Sequence, residues 1–218
     1  MFPDLPEGNI YIALSGGIES TVLLYIMQEI YPPDQLIACT FRFGDRRQWE
    51  VPNSANLAAL FGIKHVEAGY MEKFARYKPP TPLAYFNREN GLFDIPRTDP
   101  KFVAGFTGKN TTTLDPEIIT PEEQQKYLIW YNVHRPFLTM NKTHTVDLFY
   151  KLNIEDLLQH TYSCQRGGSL HCGDCHACWE RIDAFNQLGR KDPAIYEGSY
   201  SQIAARVNKQ FKTRWLRS

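Results

Sequence analysis

The sequence predicts an α/β fold, a doubly wound and mainly parallel sheet with a small helical segment at the C-terminus. Apolar runs of strand length alternate with helical patterns, and a glycine turn joins the first strand to the first helix. Four of the five cysteines lie within 15 residues of one another near the C-terminus. The 218 residues suffice for one such domain with a small appendage.

The composition excludes some classes of protein. There are 24 basic and 24 acidic residues, so no net charge draws the chain to nucleic acid or to an anionic membrane. The N-terminus lacks the basic start and apolar core of a signal peptide, and no apolar run reaches the ~20 residues of a membrane span. Clustered cysteines suit metal binding in a reducing compartment. We therefore expect a cytoplasmic protein without membrane or direct nucleic-acid partners.

The first strand and helix flank a glycine turn that can hold an anion. The apolar run at residues 10–14 precedes it, and the apolar residues 22–27 follow it. The turn itself offers two glycines and three hydroxyls, from Ser15, Gly16, Gly17, Ser20 and Thr21. Glycines let a backbone approach a ligand, and a helix start presents free N–H groups. The alternative is a tight turn with Ser20 as helix cap. No lysine follows as in a Walker A loop.

The remaining pattern continues the alternation of helix and strand. Helices are predicted at residues 20–29, 50–61, 140–149 and 179–188, and strands at 35–41, 63–68, 101–107 and 133–138. Gly62 and Gly189 are suited to end two of these helices. A short helix between two strands makes a right-handed crossover, so the sheet should be parallel. The basic residues 190–218 are most simply a solvated helix, with a subunit contact and hence a homodimer left open.

Polar residues follow several predicted strands, where open α/β sheets gather ligands. The arginine cluster at residues 42–47 can hold a phosphate or a carboxylate, or form a solvated turn. Residues 108–113 form a second polar lip or a turn, and the proline-rich stretch 69–99 suggests a lid or substrate loop. Lys142 stands at the start of a helix, where its charge opposes the helix dipole, so we expect a phosphate partner.

The cysteines of the C-terminal segment have the spacing of a metal site. Cys164, Cys172, Cys175 and Cys178 form a C-x7-C-x2-C-x2-C pattern that can close a tetrahedral zinc site, with an iron–sulfur cluster as the main competitor. His171 and His176 could replace a ligand, but four cysteines already saturate the ion. The site should therefore be structural. We divide the chain into a domain at residues 1–160 and a zinc-binding segment at 161–218.

Five stretches together resemble one enzyme family. Residues 15–20 are similar to the S-G-G-x-[DE]-S loop of the PP-loop ATP pyrophosphatase superfamily, with its adenine nucleotide alpha hydrolase-like fold. Residues 43–50, 136–142 and 161–164 resemble the Y-G-Q-R-H-x-x-E-L, P-L-x-x-x-x-K and T-W-S-C patterns of the 7-cyano-7-deazaguanine synthase (QueC) family. Residues 172–185 are similar to its C-G-x-C-x-x-C-x-x-R-x-x-A-F motif, the most specific of these matches.

The resemblance implies an ATP-dependent ligase. It would convert 7-carboxy-7-deazaguanine and ammonia into 7-cyano-7-deazaguanine through an adenylated intermediate, releasing AMP and pyrophosphate. It implies Ser15, Ser20 and Lys142 as catalytic residues, with Mg²⁺ shared by Glu19, which replaces the usual aspartate. The residues expected to contact ATP are Leu14, Ser15, Gly16, Gly17, Glu19, Ser20, Thr21, Thr40, Phe41, Arg46 and Gly105.

Other functions remain open at the level of sequence. The family's segment D-x-S-G-Y-P-D-C-R is replaced by residues 107–113, and its V-P-x-R-N segment has only a remnant, at residues 86–88 or 95–97. The reaction could stop at the amide, or the chain could be another PP-loop enzyme that adenylates a different substrate. A non-catalytic, zinc-stabilised binding module is the third alternative.

Overall fold

The computed structural model describes residues 10–42, 48–70, 102–104, 133–134, 136–137 and 140–215. Among them is a five-stranded sheet in which every pairing is parallel. The strands are β1 Ile10–Ala13, β2 Leu36–Arg42, β3 Lys64–Tyr70, β4 Phe102–Ala104 and β5 Val133–His134. Their order across the sheet is β3-β2-β1-β4-β5. The chain thus works outward from β1 to one edge and returns to β4 on the other side of β1, which confirms the doubly wound fold.

The helices begin and end close to the predicted residues. Those described are α1 Ile18–Ile30, α2 Glu50–Leu60, α3 Lys142–Lys151, α4 His176–Gln187 and α5 Tyr200–Trp215. Two short 3-10 helices cover Pro33–Gln35 and Glu155–His160. Gly62 and Gly189 adopt positive φ angles directly beyond α2 and α4, as glycines that terminate helices do. Two helices start earlier than expected, α1 at Ile18 and α4 at His176.

The main core lies between the sheet and helices from both ends of the chain. Alternate residues of β1, Ile10 and Ile12, are buried beneath Leu23 and Leu24 of α1. Helix α3 packs against α1 and α4, and Phe185 of α4 joins the same core. The C-terminal segment is therefore anchored to the sheet domain by shared apolar packing.

A second, smaller core surrounds the cysteines. Ile182 of α4 packs there with Tyr196 and with Ile203 and Val207 of α5. The expectation of a solvated C-terminal helix is therefore wrong for one face of α5, because residues four positions apart lie on the same face and are buried together. Among the described residues, no helix is long and apolar enough to cross a membrane.

Several sequence predictions fall outside the described residues. These are most of the arginine cluster including Arg46, nearly all of the proline-rich stretch 69–99, Gly105 and the polar residues 108–113.

Candidate functional site

The glycine turn lies at the point where the order of the strands reverses. It leaves β1, the strand between β2 and β4, and enters α1. Gly16 has a φ of 76°, in the left-handed region that glycine adopts without strain, and Gly17 is the N-cap of α1. The first N–H groups of a helix have no partner within the helix and carry its positive dipole end. The turn therefore has the geometry of an anion site.

Two of the three predicted hydroxyls face each other across this turn. The Oγ atoms of Ser15 and Ser20 are 3.2 Å apart, and Ser20 Oγ accepts the N–H of Ser15 at 3.2 Å. The side chain of Thr21 is buried, and its Oγ1 donates to the carbonyl of Gly17 at 2.8 Å. Because α1 starts at Ile18, Ser20 lies in its first turn and Thr21 faces inward. Ser20 is therefore not the N-cap, and the Thr21 hydroxyl supports the loop backbone.

Buried hydroxyls also hold the strand end that enters the turn. The carbonyl of Leu14 accepts hydrogen bonds from Thr40 Oγ1 at 2.7 Å and from Ser54 Oγ at 3.0 Å. Thr40 Oγ1 also lies 2.9 Å from Nε2 of His65. Leu14 and Thr40 thus fix the base of the turn. Phe41 lies in β2 at the same edge, but its side chain is outside the described residues.

Lys142 meets the turn directly. Its Nζ lies 3.0 Å from Oε1 of Glu19 and 3.7 Å from Oε2 of Glu180 on α4. Burial by itself would lower the pKa of Lys142, but the charges of Glu19 and Glu180 and the bond to Glu19 raise it. Lys142 is therefore a cation at the mouth of the turn. The sequence predicts a phosphate as the partner of Lys142. In the structure its partners are two carboxylates, that of Glu19 on α1 and that of Glu180 on α4.

The four clustered cysteines converge on one point. Their Sγ atoms all lie within 4.8 Å of one another, and those of Cys172 and Cys178 are 4.0 Å apart. All four are free thiols; Cys175 is half-buried and the other three are buried. A tetrahedral ion with metal–sulfur distances of about 2.3 Å holds its sulfurs a little under 4 Å apart. The donor set thus fits one metal ion without a large rearrangement.

Backbone N–H groups point at these sulfurs. Those of Gln165 and Asp174 donate to Cys175 and Cys172, each at 3.4 Å, and the N–H of Cys172 donates to Cys164 at 3.5 Å. Such bonds favour the thiolate form that a metal needs. The pKa of Cys175 falls to about 4, mainly because of its hydrogen bond with the Cys178 thiol.

The two neighbouring histidines are not arranged as metal ligands. Nε2 of His171 accepts the N–H of Ser163 at 3.2 Å, and burial together with the charge of Arg181 lowers its pKa to about 4. Nε2 of His176 lies 3.2 Å from Oε1 of Glu180. The expectation that four cysteines saturate the ion agrees with this geometry.

A buried ion pair beside the cysteines was not predicted from the sequence. The guanidinium of Arg181 bonds to both carboxylate oxygens of Asp192, at 2.7 and 2.9 Å, and both side chains are fully buried. Burial alone would raise the pKa of Asp192, but the charge of Arg181 and the hydrogen bond from Tyr196 lower it. Arg181 was part of a family motif, whereas Asp192 lies in a turn beyond α4 with no pattern to mark it.

The cysteine segment touches the turn and the helix beside it. The N–H of Tyr162 donates to the carbonyl of Gly16 at 2.7 Å. Gly167, with a φ of 74°, lies against the indole ring of Trp49 just before α2. Between α2 and this segment is a cavity of about 820 Å³, lined by Asn53 and Tyr162 among others. Its size is that of a small-molecule pocket.

Two family models match different parts of the chain. Residues 8–82, which include β1, the turn and β2, match the asparagine synthase family. Residues 118–189, which include Lys142 and the four cysteines, match the queuosine biosynthesis protein QueC family.

Curated relatives cover most of the chain at modest identity. A 7-cyano-7-deazaguanine synthase of Caldicellulosiruptor bescii is 27% identical over 85% of this chain and 96% of its own length. Those of Persephonella marina and Archaeoglobus fulgidus are 23% and 25% identical over 86% and 92% of this chain, and over 96% and 95% of their own lengths. A solved U34-tRNA thiolase from Methanococcus maripaludis with a [4Fe-4S] cluster aligns with 95% of this chain and 73% of its own, at 12% identity and a TM-score of 0.41. That score is too low to transfer its chemistry.

Proposed function

We propose that this protein, a relative of the 7-cyano-7-deazaguanine synthases, is an ATP-dependent ligase that makes 7-cyano-7-deazaguanine from 7-carboxy-7-deazaguanine and ammonia. Relatives of that name extend over most of the chain, and the alternative functions are not favoured by them. The observation that carries the proposal is the meeting of Lys142 with Glu19, because it joins the two halves that match different family models at one anion site.

The reaction consists of two adenylations. A carboxylate oxygen of the base attacks the α-phosphorus of ATP, and pyrophosphate leaves. Ammonia then attacks the acyl carbon, AMP leaves with that oxygen, and an amide results. The amide oxygen attacks the α-phosphorus of a second ATP, pyrophosphate leaves, and loss of AMP and of both protons of the amide nitrogen gives the nitrile. Each step needs charge stabilisation, positioning and exclusion of water from the adenylate.

The turn supplies the charge stabilisation for the departing pyrophosphate. The N–H groups at the start of α1 and the exposed hydroxyl of Ser15 lie at this turn. The buried Ser20 Oγ accepts the N–H of Ser15 and donates to the Gly17 carbonyl, both at 3.2 Å, so it holds the shape of the turn before charge develops. Lys142 adds a full positive charge. When ATP binds, the phosphates compete with Glu19 for Lys142, which frees Glu19.

A Mg²⁺ ion shared between ATP and Glu19 would neutralise phosphate charge when bound. The Glu19 carboxylate lies in the first turn of α1, beside the turn where the phosphates would bind. We propose Zn²⁺ as the ion of the four cysteines, since four thiolates in a closed set suit zinc and leave no position for substrate. Its role would be structural.

The test is the stoichiometry of the products. The purified protein with 7-carboxy-7-deazaguanine, ATP, Mg²⁺ and ammonia should form the nitrile, together with two AMP and two pyrophosphate for each nitrile. Mass spectrometry of the base and chromatography of the nucleotides measure these products. Release of ADP and phosphate would contradict the proposal. Accumulation of the amide with one AMP for each amide would show that the protein catalyses only the first half-reaction, the formation of the amide.

Lys142→Ala should lower kcat/KM about 100-fold or more, because the transition state loses a cation. The matched control is Lys151→Ala on the same helix. Lys151 is exposed and pairs with Asp147 at 2.6 Å, away from the turn, so its loss should leave the activity within twofold. Equal activities of the two variants would show that Lys142 has no role in the reaction.

A further inference from the structure

The buried Arg181 is connected to the glycine turn through only two residues. Its Nη1 donates to Oγ1 of Thr161 at 2.6 Å, and Thr161 Oγ1 in turn donates to the carbonyl of Leu158 at 2.7 Å. Nη2 of Arg181 donates to the same Leu158 carbonyl at 3.3 Å. The planar guanidinium therefore fixes Thr161 in position and orientation.

Thr161 directly precedes the residue that contacts the turn. The N–H of Tyr162 donates to the carbonyl of Gly16 at 2.7 Å, the shortest backbone contact between the C-terminal segment and the turn among the described residues. The position of this N–H depends on the Thr161–Tyr162 peptide. A contact that fixes Thr161 therefore also fixes the position of the Tyr162 N–H.

The hydrogen bond from Tyr162 to the Gly16 carbonyl sets the direction of the Gly17 N–H, on the opposite side of the turn. The Gly16 carbonyl and the Gly17 N–H belong to one trans peptide plane and point in opposite directions. With the carbonyl bound to Tyr162, the Gly17 N–H donates a long hydrogen bond, 3.4 Å, to the exposed Oγ of Ser15. A flip of this peptide, which two adjacent glycines permit, would aim the carbonyl oxygen at a bound phosphate instead.

An ion pair is not the simplest way to stabilise this region of the fold. Removing Arg181 and Asp192 from water costs free energy, and apolar residues of similar size would often serve as well. The planar guanidinium of Arg181, however, donates hydrogen bonds in fixed directions and can therefore orient Thr161, which an apolar side chain cannot do.

We propose that Arg181 is a positioning residue for the glycine turn: through Thr161 it keeps the Tyr162 N–H on the Gly16 carbonyl, and so keeps the Gly17 N–H on the Ser15 side of the turn, where it can turn from Ser15 Oγ to a bound phosphate. The inference rests on the proposed use of ATP at this turn.

The variant that tests it is Thr161→Val, which keeps the shape of the side chain and removes the hydroxyl that Arg181 Nη1 contacts at 2.6 Å, while the longer bond from Nη1 to the Thr161 carbonyl, at 3.4 Å, stays. The Kd of Mg²⁺–pyrophosphate, measured by calorimetry, should rise about tenfold, the effect of roughly one hydrogen bond. The KM for ATP should rise similarly while the KM for the base stays unchanged. Thr161→Ser, which restores the oxygen, should bind like the wild type.

Tyr196→Phe is the matched control. It removes the 2.6 Å hydrogen bond from Tyr196 to Asp192 but leaves Arg181 and Thr161 together. Its pyrophosphate affinity should stay within twofold of the wild type. If it weakens pyrophosphate binding as much as Thr161→Val does, general loosening explains both variants and the proposal is wrong.

A measurement on the wild type alone covers the case in which Thr161→Val does not fold. Because coupling between sites is reciprocal, pyrophosphate should slow hydrogen exchange of the Tyr162 amide at least threefold. An unchanged rate would overturn the positioning role. If the wild type neither binds pyrophosphate nor cleaves ATP to AMP, the proposed function itself fails, which is a different outcome.

Discussion

Two glycines of the C-terminal segment share a backbone conformation but not an environment. Gly167 and Gly189 have φ angles of 74° and 65°. A Cβ atom on Gly167 would lie 2.5 Å from Cε3 of Trp49, whereas one on Gly189 would meet nothing within 4 Å. Gly167 is therefore required twice, for its conformation and for the closeness of the indole ring. Gly189 is required only for its conformation.

Gly167→Ala should lower the free energy of unfolding by about 3 kcal/mol, the sum of backbone strain and displacement of Trp49. Gly189→Ala should lower the free energy of unfolding by only about 1 kcal/mol, since backbone strain is its only cost. Urea unfolding followed by circular dichroism measures both. Equal losses in the two variants would mean that the contact with Trp49 contributes nothing to stability.

The cysteine segment contains four converging cysteines and little regular structure. Between the 3-10 helix that ends at His160 and the start of α4 at His176, the chain forms turns and a single bridge from His171 to Tyr196. Backbone N–H groups from this stretch bind three of the sulfurs. A metal ion that binds these cysteines should therefore order the turns as it binds.

Cys172→Ser should lose the metal, because an exchanged ligand typically abolishes the affinity of a structural site. Elemental analysis should give one zinc per chain for the wild type and much less than one for the variant.

Cys39→Ala is the control: that cysteine is buried in β2, and burial raises the pKa of its thiol to about 12. It should keep a full equivalent of zinc. Iron with visible absorbance in the wild type would contradict zinc and favour an iron–sulfur cluster.

At the scale of the whole molecule, the boundary that we propose near residue 160 separates chain segments that share one core. Ala184 and Phe185 from the C-terminal side are buried with Ile10 and Leu14 from the start of the chain. Arg181 also binds backbone on the other side of the boundary, at Leu158. The C-terminal segment thus completes the packing of α3.

A chain ending at residue 160 should consequently not fold. It would expose the face of α3 that α4 covers and lose the partners of Leu158. We expect low solubility and no cooperative thermal transition by circular dichroism, in contrast to the full chain. A cooperative transition in the shortened chain would show that residues 1–160 are an independent domain.

The features that the sequence predicts best are those encoded by neighbouring residues. The glycine turn and the cysteine pattern each lie within a short stretch, and a parallel sheet follows from the alternation of apolar runs. The orientation of Thr21 was missed because it depends on where α1 starts, and helix ends are the least regular part of a pattern.

Contacts across the fold could not be predicted in the same way. Glu180 reaches Lys142 only because α3 packs against α4, and Asp192 reaches Arg181 only through the turn that follows α4. No sequence pattern around Glu180 or Asp192 distinguishes these residues from acidic residues exposed to solvent. The three-dimensional structure was needed to bring both into the site.

The hydrogen bond from Tyr162 to Gly16 has a consequence for protein synthesis. The ribosome releases the glycine turn early, together with β1 and α1, but the donor at Tyr162 and the cysteines beyond it emerge only near the end of translation. A nascent chain can therefore form the first strands and helix before the hydrogen bond from Tyr162 fixes its glycine turn. Under the proposed function, this protein would acquire its capacity to use ATP last, after the C-terminal segment with its four cysteines has left the ribosome.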